Sequence, residues 1–484
     1  MSDATLAAKA AKGVAWNYLS FGLGKGLVLV TTAVLARLLT PEQFGVVGFA
    51  TLAVSYLSVL KDLGLGAALI QRQDEVEEAA DTVFTLNLLL GILLTLLGLL
   101  LAPLAATYFR EPLVTSILRV LSFNFVINAL GAIHTVRLQR QLDFRRKALP
   151  DIGRSLVKGV VSIGMAVAGF GVWSLIIGQL AGSAAGVLLS WWMFPWRPQL
   201  RLATQLVRQM LNFGLSVIGT DGLTILNDTM DYLIVGRVLG SAALGVYTLA
   251  YRLPELLVFN LLWVLSAVIY PAYSSVQQET AVLEQAFWTT TRYIELVVMP
   301  LCLGLIIAAD PLVRVVFGTQ WLAAIPVMRL LALYALVRSI GYHIGDVYKA
   351  TGRPDILLKL GIVSLLFLLP SLWFGARYGL VGVALAHVLV AMARTLARWL
   401  VAARFITIRW SALWAALKPS LLGGMLLLAL ALPTLWATAS LPPLLQLLLT
   451  AVTGAAGYGA VLWIMERDSL LLAGRYIGLK GVGS

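Results

Sequence analysis

Polar residues recur on one face of an apolar segment that covers residues 212–237. At about 100° of rotation per residue, five polar positions share roughly 120° of helix surface. This acidic stripe consists of Asp221, Thr224, Asn227, Asp228 and Asp231. Three carboxylates on one face repel each other unless a proton, a cation or a basic side chain lies among them. The stripe therefore predicts either a binding site for H⁺ or Na⁺, or a structural or gating contact with a basic residue of another helix.

Asp228 is the expected centre of that ion site, because it lies near the middle of the segment beside Asn227. Na⁺ near Asp228 is the one metal ion that the pattern fits. The chain has three histidines, and their spacing does not match that of metal ligands. The single cysteine, Cys302, excludes a disulfide within the chain. The glycine-rich stretch GLGKG at 22–26 lacks the spacing of an ATP-binding loop, so neither a cofactor nor an enzymatic activity is expected.

Basic residues inside apolar segments are the second group with functional potential. Lys25 lies twelve residues after Gly13, about 18 Å along a helix. It could bind an anionic substrate group or form an ion pair with a buried acid, and the sequence does not separate these alternatives. Four arginines also lie within apolar segments: Arg119, Arg252, Arg329 and Arg338. Each arginine could instead extend its charged end to the membrane surface, which explains its position nearly as well as a role in binding. Together, however, the four arginines predict a cationic cavity that favours an anionic substrate.

The composition identifies the elements that must carry these residues. The chain is 60% hydrophobic and 12% charged, with a mean hydropathy of +0.89. Those values are typical of an integral membrane protein, and the apolar runs are too long for barrel strands. About fourteen runs are long enough to cross a bilayer as helices. The predicted spans are 13–36, 44–68, 82–106, 113–134, 151–170, 172–194, 211–238, 244–270, 290–309, 322–345, 355–374, 379–402, 412–433 and 443–464.

The net charge of +13 is distributed asymmetrically when the basic residues are assigned to alternate sides of these spans. One side holds most of them, and the other holds only Arg37, Arg110, Arg237, Arg314 and Arg377. The positive-inside rule places the basic side in the cytoplasm, so both termini are predicted to be cytoplasmic. The surplus of positive charge is thus a signal of topology, and no nucleic acid is expected as a partner. The basic run at 137–154 could also contact anionic membrane lipids.

Several short sequence matches indicate an internal repeat in the chain. Shifted by 200 residues, ARLLTPEQFGVV at 36–47 aligns with GRVLGSAALGVY at 236–247. Further matches, such as Pro150-Asp151-Ile152 with Pro354-Asp355-Ile356, keep the same order along the chain. This pattern predicts two six-helix lobes related by a pseudo-twofold axis, with a cavity between them. The predicted domains are a tail at 1–12, lobes at 13–200 and 201–404, two further spans at 405–466 and a tail at 467–484.

Three stretches near the N-terminus resemble a known family. They are GVAWNYLSFGLGKG (13–26), LARLLTPEQFGVVGFA (35–50) and KDLGLGAALIQR (61–72). Their order is similar to that of the Wzx-like polysaccharide transporters, the oligosaccharide flippases of the multidrug/oligosaccharidyl-lipid/polysaccharide (MOP) exporter superfamily. The phrase LLTPEQFG resembles the colanic-acid and teichuronic-acid exporter type. The resemblance is dense over about the first 75 residues and looser through the twelfth predicted span.

This resemblance implies an all-α, MATE-like carrier in the bacterial cytoplasmic membrane. Such a carrier would move undecaprenyl-pyrophosphate-linked oligosaccharide units to the periplasmic leaflet by alternating access, coupled to an H⁺ or Na⁺ gradient. Its expected partners are that substrate, membrane lipids, and the polymerase and export machinery of polysaccharide synthesis. A cation-coupled multidrug antiporter of the same superfamily is the first alternative. A membrane glycan polymerase or ligase is the second, although the outer loops are short for such chemistry.

Overall fold

The computed structural model of the chain describes residues 22–61, 69, 76–141, 143–407 and 409–467. Within the helices, Phe144 and residues 204–221 are described by their backbone. The regular structure of the described residues is helical throughout, which confirms the predicted all-α class. The predicted tail at 1–12 lies outside the described residues, as does the predicted tail at 467–484 apart from Arg467.

The helices follow one another with short connections. Up to residue 239 they are α1 (22–38), α2 (Pro41–Ser58), α3 (Val76–Phe109), α4 (Leu113–Arg140), α5 (Phe144–Val167), α6 (Val172–Met193) and α7 (Thr204–Leu239). A π-helical segment, Glu255–Phe259, joins α8 (Ser241–Pro254) to α9 (Asn260–Ser275). The remaining helices are α10 (Thr280–Ile307), α11 (Ala309–Val316), α12 (Ala324–Ser339), α13 (Ile344–Ala350), α14 (Asp355–Ala376), α15 (Gly379–Ala402), α16 (Trp410–Ala437) and α17 (Pro443–Met465).

Ten candidate spans among the described residues are long and apolar enough to cross a membrane. Each of the fourteen predicted apolar runs overlaps a helix, and the multi-pass helical architecture is therefore confirmed. The count of fourteen membrane spans stays a prediction. The predicted break between the fifth and sixth spans is present, because α5 ends at Val167 and α6 begins at Val172. Gly169 and Gly171 both have positive φ there, +85° and +52°, which glycine adopts without steric cost.

Two segments differ in helical extent from the predicted spans. Helix α10 begins at Thr280, ten residues before the predicted start at 290. Its first turns are amphipathic: Glu284 accepts a hydrogen bond from the backbone N–H of Thr407 at 2.6 Å, so a polar segment that hydropathy excludes is nevertheless helical. The tenth predicted span, 322–345, falls mostly within the candidate membrane span Ala324–Ala350, but its helix is broken, because α12 ends at Ser339 and the chain turns before α13 begins at Ile344.

The chain forms two compact units, which divide between Gly245 and Val246. In the first unit, α5 packs along α6, α3 packs along α4, and α7 contacts α2 and α3. In the second unit, α16 packs along α17, α14 packs along α15, and α10 contacts both α12 and α16. The lobe boundary proposed from the repeat, at residues 200 and 201, stays a prediction.

The segment between α6 and α7 is fixed to the first turns of α3. Three of its backbone N–H groups, those of residues 199, 201 and 203, donate hydrogen bonds to side chains of α3. Their acceptors are Asp81 at 2.8 Å, Thr85 at 3.2 Å and Thr82 at 3.3 Å, all of them buried. Because loop backbone lacks helical partners, these side chains satisfy donors that would otherwise need water.

The repeated motif found in the sequence marks a close contact between two helix starts. Helices α2 and α8 begin at Pro41 and Ser241, which are 200 residues apart. A β-carbon added at Gly45 would lie 1.8 Å from the Ser241 carbonyl oxygen, and one at Gly245 would lie 1.9 Å from the Pro41 carbonyl oxygen. The two glycines therefore let the two backbones touch, as small residues do between membrane helices.

We predict that Gly45→Ala and Gly245→Ala each destabilise the fold by about 2 kcal/mol or more, because the added methyl meets backbone that cannot rotate away. Thermal unfolding of the purified protein in detergent measures the effect. Gly26→Ala in α1 is the matched control, since no heavy atom lies within 4 Å of its added β-carbon. Alanine there should be neutral or stabilising. Equal unfolding temperatures for all three variants would refute the proposed role of the contact.

Candidate functional site

The acidic stripe lies on α7, within the first unit. Asp228 and Thr224 are exposed, Asn227 is half-buried, and Asp231 is buried with 1% of its surface exposed. The amide of Asn227 donates to the Leu223 carbonyl oxygen at 3.0 Å. The side chain of Asp221 lies outside the described part of the chain. The stripe thus runs from accessible Asp228 to enclosed Asp231 within one turn of helix.

A tyrosine of helix α2, Tyr56, lies close to the acidic stripe. The hydroxyl of Tyr56 lies 2.8 Å from the Thr229 hydroxyl, which in turn donates to the Ile225 carbonyl oxygen at 2.7 Å. Because the single hydrogen of Thr229 is used in that bond, Tyr56 is the donor in the contact between the two hydroxyls. Tyr56 also interacts electrostatically with Asp231. The structure therefore adds Tyr56 to the polar surroundings of the predicted stripe.

The predicted basic residues are divided between the two units. Lys25 on α1 is half-buried and Arg119 on α4 is exposed, and both belong to the first unit. In the second unit Arg329 is exposed, and its Nε donates to the Ile306 carbonyl oxygen at 3.1 Å, near the end of α10. Arg329 therefore contacts backbone at a helix end, as a basic side chain near a C-terminus commonly does.

Arg252 and Arg338 adjoin an aromatic group in the second unit. The Arg338 guanidinium lies 4.9 Å from the centre of the Phe259 ring and donates to the Tyr334 hydroxyl at 2.9 Å. Arg252 forms a 3.1 Å ion pair with Glu255, in the π-helical segment that also carries Phe259. Tyr251, next to Arg252, has its ring 5.6 Å from that of Phe259. Planar aromatic surfaces beside guanidinium groups are suited to binding sugars and anions together.

The structure reveals a buried polar ladder that the sequence analysis missed. Glu295 and Thr291 lie one turn apart on α10, and they face Ser339 and His343 at the end of α12 and before α13. All four residues have 0% of their surface exposed. Ser339 Oγ lies 2.8 Å from Glu295 Oε1, and His343 Nε2 lies 2.8 Å from Thr291 Oγ1. Two polar rungs therefore connect the helices inside an apolar core.

Each rung of the polar ladder also holds an atom without a hydrogen-bond partner among the described residues. These atoms are Glu295 Oε2 and His343 Nδ1. A buried polar atom without a partner is costly, and such atoms are concentrated at sites that bind ligands or change protonation. Glu295 escaped notice because the predicted span began at 290, which placed the carboxyl near an interface. The helix begins at Thr280, so Glu295 lies fifteen residues into it, about 22 Å from its N-terminal end.

Comparison with known proteins identifies the family. The family model described as "Polysaccharide biosynthesis protein" matches residues 34–326. The lipopolysaccharide biosynthesis protein WzxC of Escherichia coli K12 is 27% identical over 400 residues, covering 82% of this chain and 81% of the relative. The teichuronic acid biosynthesis protein TuaB of Bacillus subtilis 168 is 27% identical over 398 residues, covering 81% of this chain and 82% of the relative.

Solved structures show the same fold. The lipid II flippase MurJ, in an inward closed conformation, has a TM-score of 0.74 at 16% identity and covers 94% of this chain and 99% of its own. An inward-facing MATE transporter of the MOP superfamily has a TM-score of 0.60 at 18% identity, with coverage of 80% and 94%. These likenesses confirm the predicted MATE-like architecture. Because the family model spans more than half of the sequence, the chain belongs to the family described as "Polysaccharide biosynthesis protein".

Proposed function

We propose that the chain is a flippase for lipid-linked oligosaccharides. It moves repeat units carried on undecaprenyl pyrophosphate from the cytoplasmic to the periplasmic leaflet of the bacterial cytoplasmic membrane, with both of its own termini in the cytoplasm. The units then enter exopolysaccharide or cell-surface polysaccharide synthesis. This movement breaks no covalent bond, so it requires no enzymatic site.

The family match over residues 34–326 is the observation that carries this proposal. The fold alone does not distinguish a flippase from a multidrug antiporter, because both classes share it. The relatives found by sequence are named for polysaccharide biosynthesis, which favours the flippase. The chemistry of the second unit is also suitable: Arg338 beside Phe259 and Tyr334 offers positive charge and aromatic surface to a sugar diphosphate.

The remaining predicted residues keep their proposed roles. Lys25, Arg119 and Arg329 are candidates for contact with the anionic part of the substrate, and the acidic stripe is a candidate site for H⁺ or Na⁺. One elementary charge that crosses 100 mV supplies about 2.3 kcal/mol, which is enough to bias a conformational cycle. The polymerase and export machinery would receive the flipped units as partners of the same process.

We predict that deletion of the gene leaves lipid-linked repeat units on the cytoplasmic face and abolishes the surface polymer. The measurement is extraction of lipid-linked sugars together with assay of surface polysaccharide, and the restored gene is the control. Normal polymer output in the deletion strain, accompanied by new sensitivity to cationic dyes, would contradict a flippase and support the antiporter.

Replacement of Asp228 by Asn tests the acidic stripe. The substitution keeps the size of an exposed side chain and removes its charge, so we expect normal insertion and folding but loss of the dependence of polymer export on the ion gradient. Polymer output is measured with and without an ionophore that dissipates the gradient. Glu42→Gln, an exposed acid in the first turn of α2, is the matched control. An unchanged gradient dependence in Asp228→Asn would rule out the coupling role.

Arg338→Gln tests the proposed binding of the substrate diphosphate. Glutamine retains a donor for the Tyr334 hydroxyl but lacks the positive charge, so polymer output per molecule of protein should fall. Arg377→Gln is the control, because Arg377 is exposed beside Phe374 on the outer turn after α14. Equal output from both variants would show that the charge of Arg338 does not contribute to transport.

A further inference from the structure

The carboxyl group of Glu295 competes with a backbone carbonyl for one hydrogen. Ser339 Oγ lies 2.8 Å from Glu295 Oε1 and 2.7 Å from the Leu336 carbonyl oxygen. A hydroxyl has a single hydrogen, so an ionised Glu295 and Leu336 cannot both receive it fully. If Glu295 carries a proton, its O–H donates to Ser339, and the Ser339 hydroxyl donates to Leu336. The hydrogen count at this contact therefore fits a carboxylic acid better than a carboxylate.

The nearby charges lead to the same conclusion. Among the described residues, no basic side chain forms an ion pair with Glu295. Arg292, one turn away on α10, is paired with the buried carboxylate of Glu466. The titratable groups that interact with Glu295 are Cys302 on α10 and Tyr458 on α17, whose hydroxyl donates to the Leu296 carbonyl oxygen at 2.9 Å. A thiol and a phenol carry no positive charge, so neither compensates a carboxylate.

Other charged groups on the helices around α10 have different contacts. Arg338 on α12 donates to Tyr334, and Arg329 on the same helix donates to the Ile306 carbonyl oxygen. Glu255 of the π-helical segment pairs with Arg252, and Lys418, the charged residue of α16, is exposed. Asp310 and Arg314 on α11 pair with each other at 2.9 Å. The titratable side chains of α9 are tyrosines. A proton is therefore the positive charge that fits the space at Glu295.

The second rung provides a proton-accepting atom. The Thr291 hydroxyl donates to the Phe287 carbonyl oxygen at 2.9 Å, so its hydrogen is already used. His343 Nε2 must then be the donor in its 2.8 Å contact with Thr291 Oγ1. In a neutral imidazole this leaves Nδ1 as an acceptor with a free lone pair, and Nδ1 has no partner among the described residues. The rung lies about 6 Å from Glu295 along α10.

Beyond His343, the polar side chains lead toward the protein surface. Asp346, three residues later, is buried and accepts a hydrogen bond from the Ser266 hydroxyl at 2.7 Å. Lys349 lies 3.2 Å from the same carboxylate, and 45% of its side chain is exposed. Titratable or hydroxyl side chains therefore occur in order from Glu295, through His343 and Asp346, to an accessible lysine.

We propose that the polar ladder is a proton-binding site, in which Glu295 holds the proton in the state shown and His343 Nδ1 accepts it between Glu295 and the surface near Lys349. The proposal rests on the transport function given above, because it identifies a coupling ion and its residues in the second unit. It is independent of the acidic stripe of the first unit.

The chemistry is a reversible transfer of one proton in two steps. On binding, hydronium gives a proton to His343 Nδ1: one O–H bond of hydronium breaks, an N–H bond forms, and water leaves. That N–H bond then breaks as an O–H bond forms on a carboxylate oxygen of Glu295, which returns the imidazole to its neutral form. Release reverses both steps, and no electrons are transferred. A carboxylate in the buried position lacks a counter-charge, so release requires α10 and α12 to separate until water reaches Glu295. Proton occupancy and conformation are thereby linked.

Infrared difference spectroscopy of the purified protein in lipid nanodiscs tests the proton directly. At neutral pH we expect a carboxylic-acid C=O band that shifts in D₂O, disappears in Glu295→Gln and persists in Glu279→Gln. Glu279, exposed just before α10, is the matched control. Ser339→Ala keeps the native acid and should shift the band by removing its hydrogen bond, which keeps the test valid if Glu295→Gln does not fold. A spectrum without any band assignable to Glu295 would overturn the proposal.

Polymer export in cells tests the coupling. Glu295→Gln should abolish the part of export that a protonophore abolishes in the wild type, whereas Glu279→Gln should retain it. Wild-type export and protonophore sensitivity in Glu295→Gln would overturn the coupling even if the band is present. Failure of the flippase assignment is distinguishable, because the gene deletion would then leave polymer output normal while the infrared band still reports the proton on Glu295.

Discussion

A polar group inside a membrane-spanning helix must find its partner within the protein, and this constraint shapes the described structure. Hydroxyl side chains meet it locally: Thr95 and Ser122, both buried, donate to carbonyl oxygens one turn earlier in their own helices. Longer side chains meet it across helices, as Trp191 does when its indole N–H donates to the Leu130 carbonyl oxygen at 2.8 Å. Such contacts fix the register of neighbouring helices, which apolar packing alone leaves free to slide.

Close packing at small residues also holds neighbouring helices together. A β-carbon at Gly98 would lie 2.0 Å from Ser122 Oγ, and one at Gly178 would lie 1.9 Å from Ser162 Oγ. At each glycine, the absence of a side chain leaves space for the hydroxyl group of a neighbouring helix. Small residues and buried hydroxyls therefore occur as pairs. In lipid the hydrophobic effect does not drive helices together, and tight van der Waals contact with internal hydrogen bonds must do so. The same chemistry thus provides both attraction and register.

The sequence was informative where a property is local and less so where it depends on contacts between distant segments. Hydropathy located the helices, and the structure adds a complete capping box of Thr40 and Gln43 at the start of α2. Amphipathic first turns hid the start of α10, and with it the depth of Glu295. The contact of Arg338 with Phe259 joins residues 79 positions apart, and helical periodicity carries no information about such a pair.

The acidic residues show why burial matters more than residue type. Asp228 is exposed in the structure, so in this conformation its charge can be stabilised by water or an ion. Glu295 is fully enclosed with one hydroxyl as its partner, and its two charge states have very different energies in that position. An exposed carboxylate can tie an ion to the movement only if its surroundings change in another conformation. A group whose charge is tolerated only after the helices separate necessarily ties the ion to the movement.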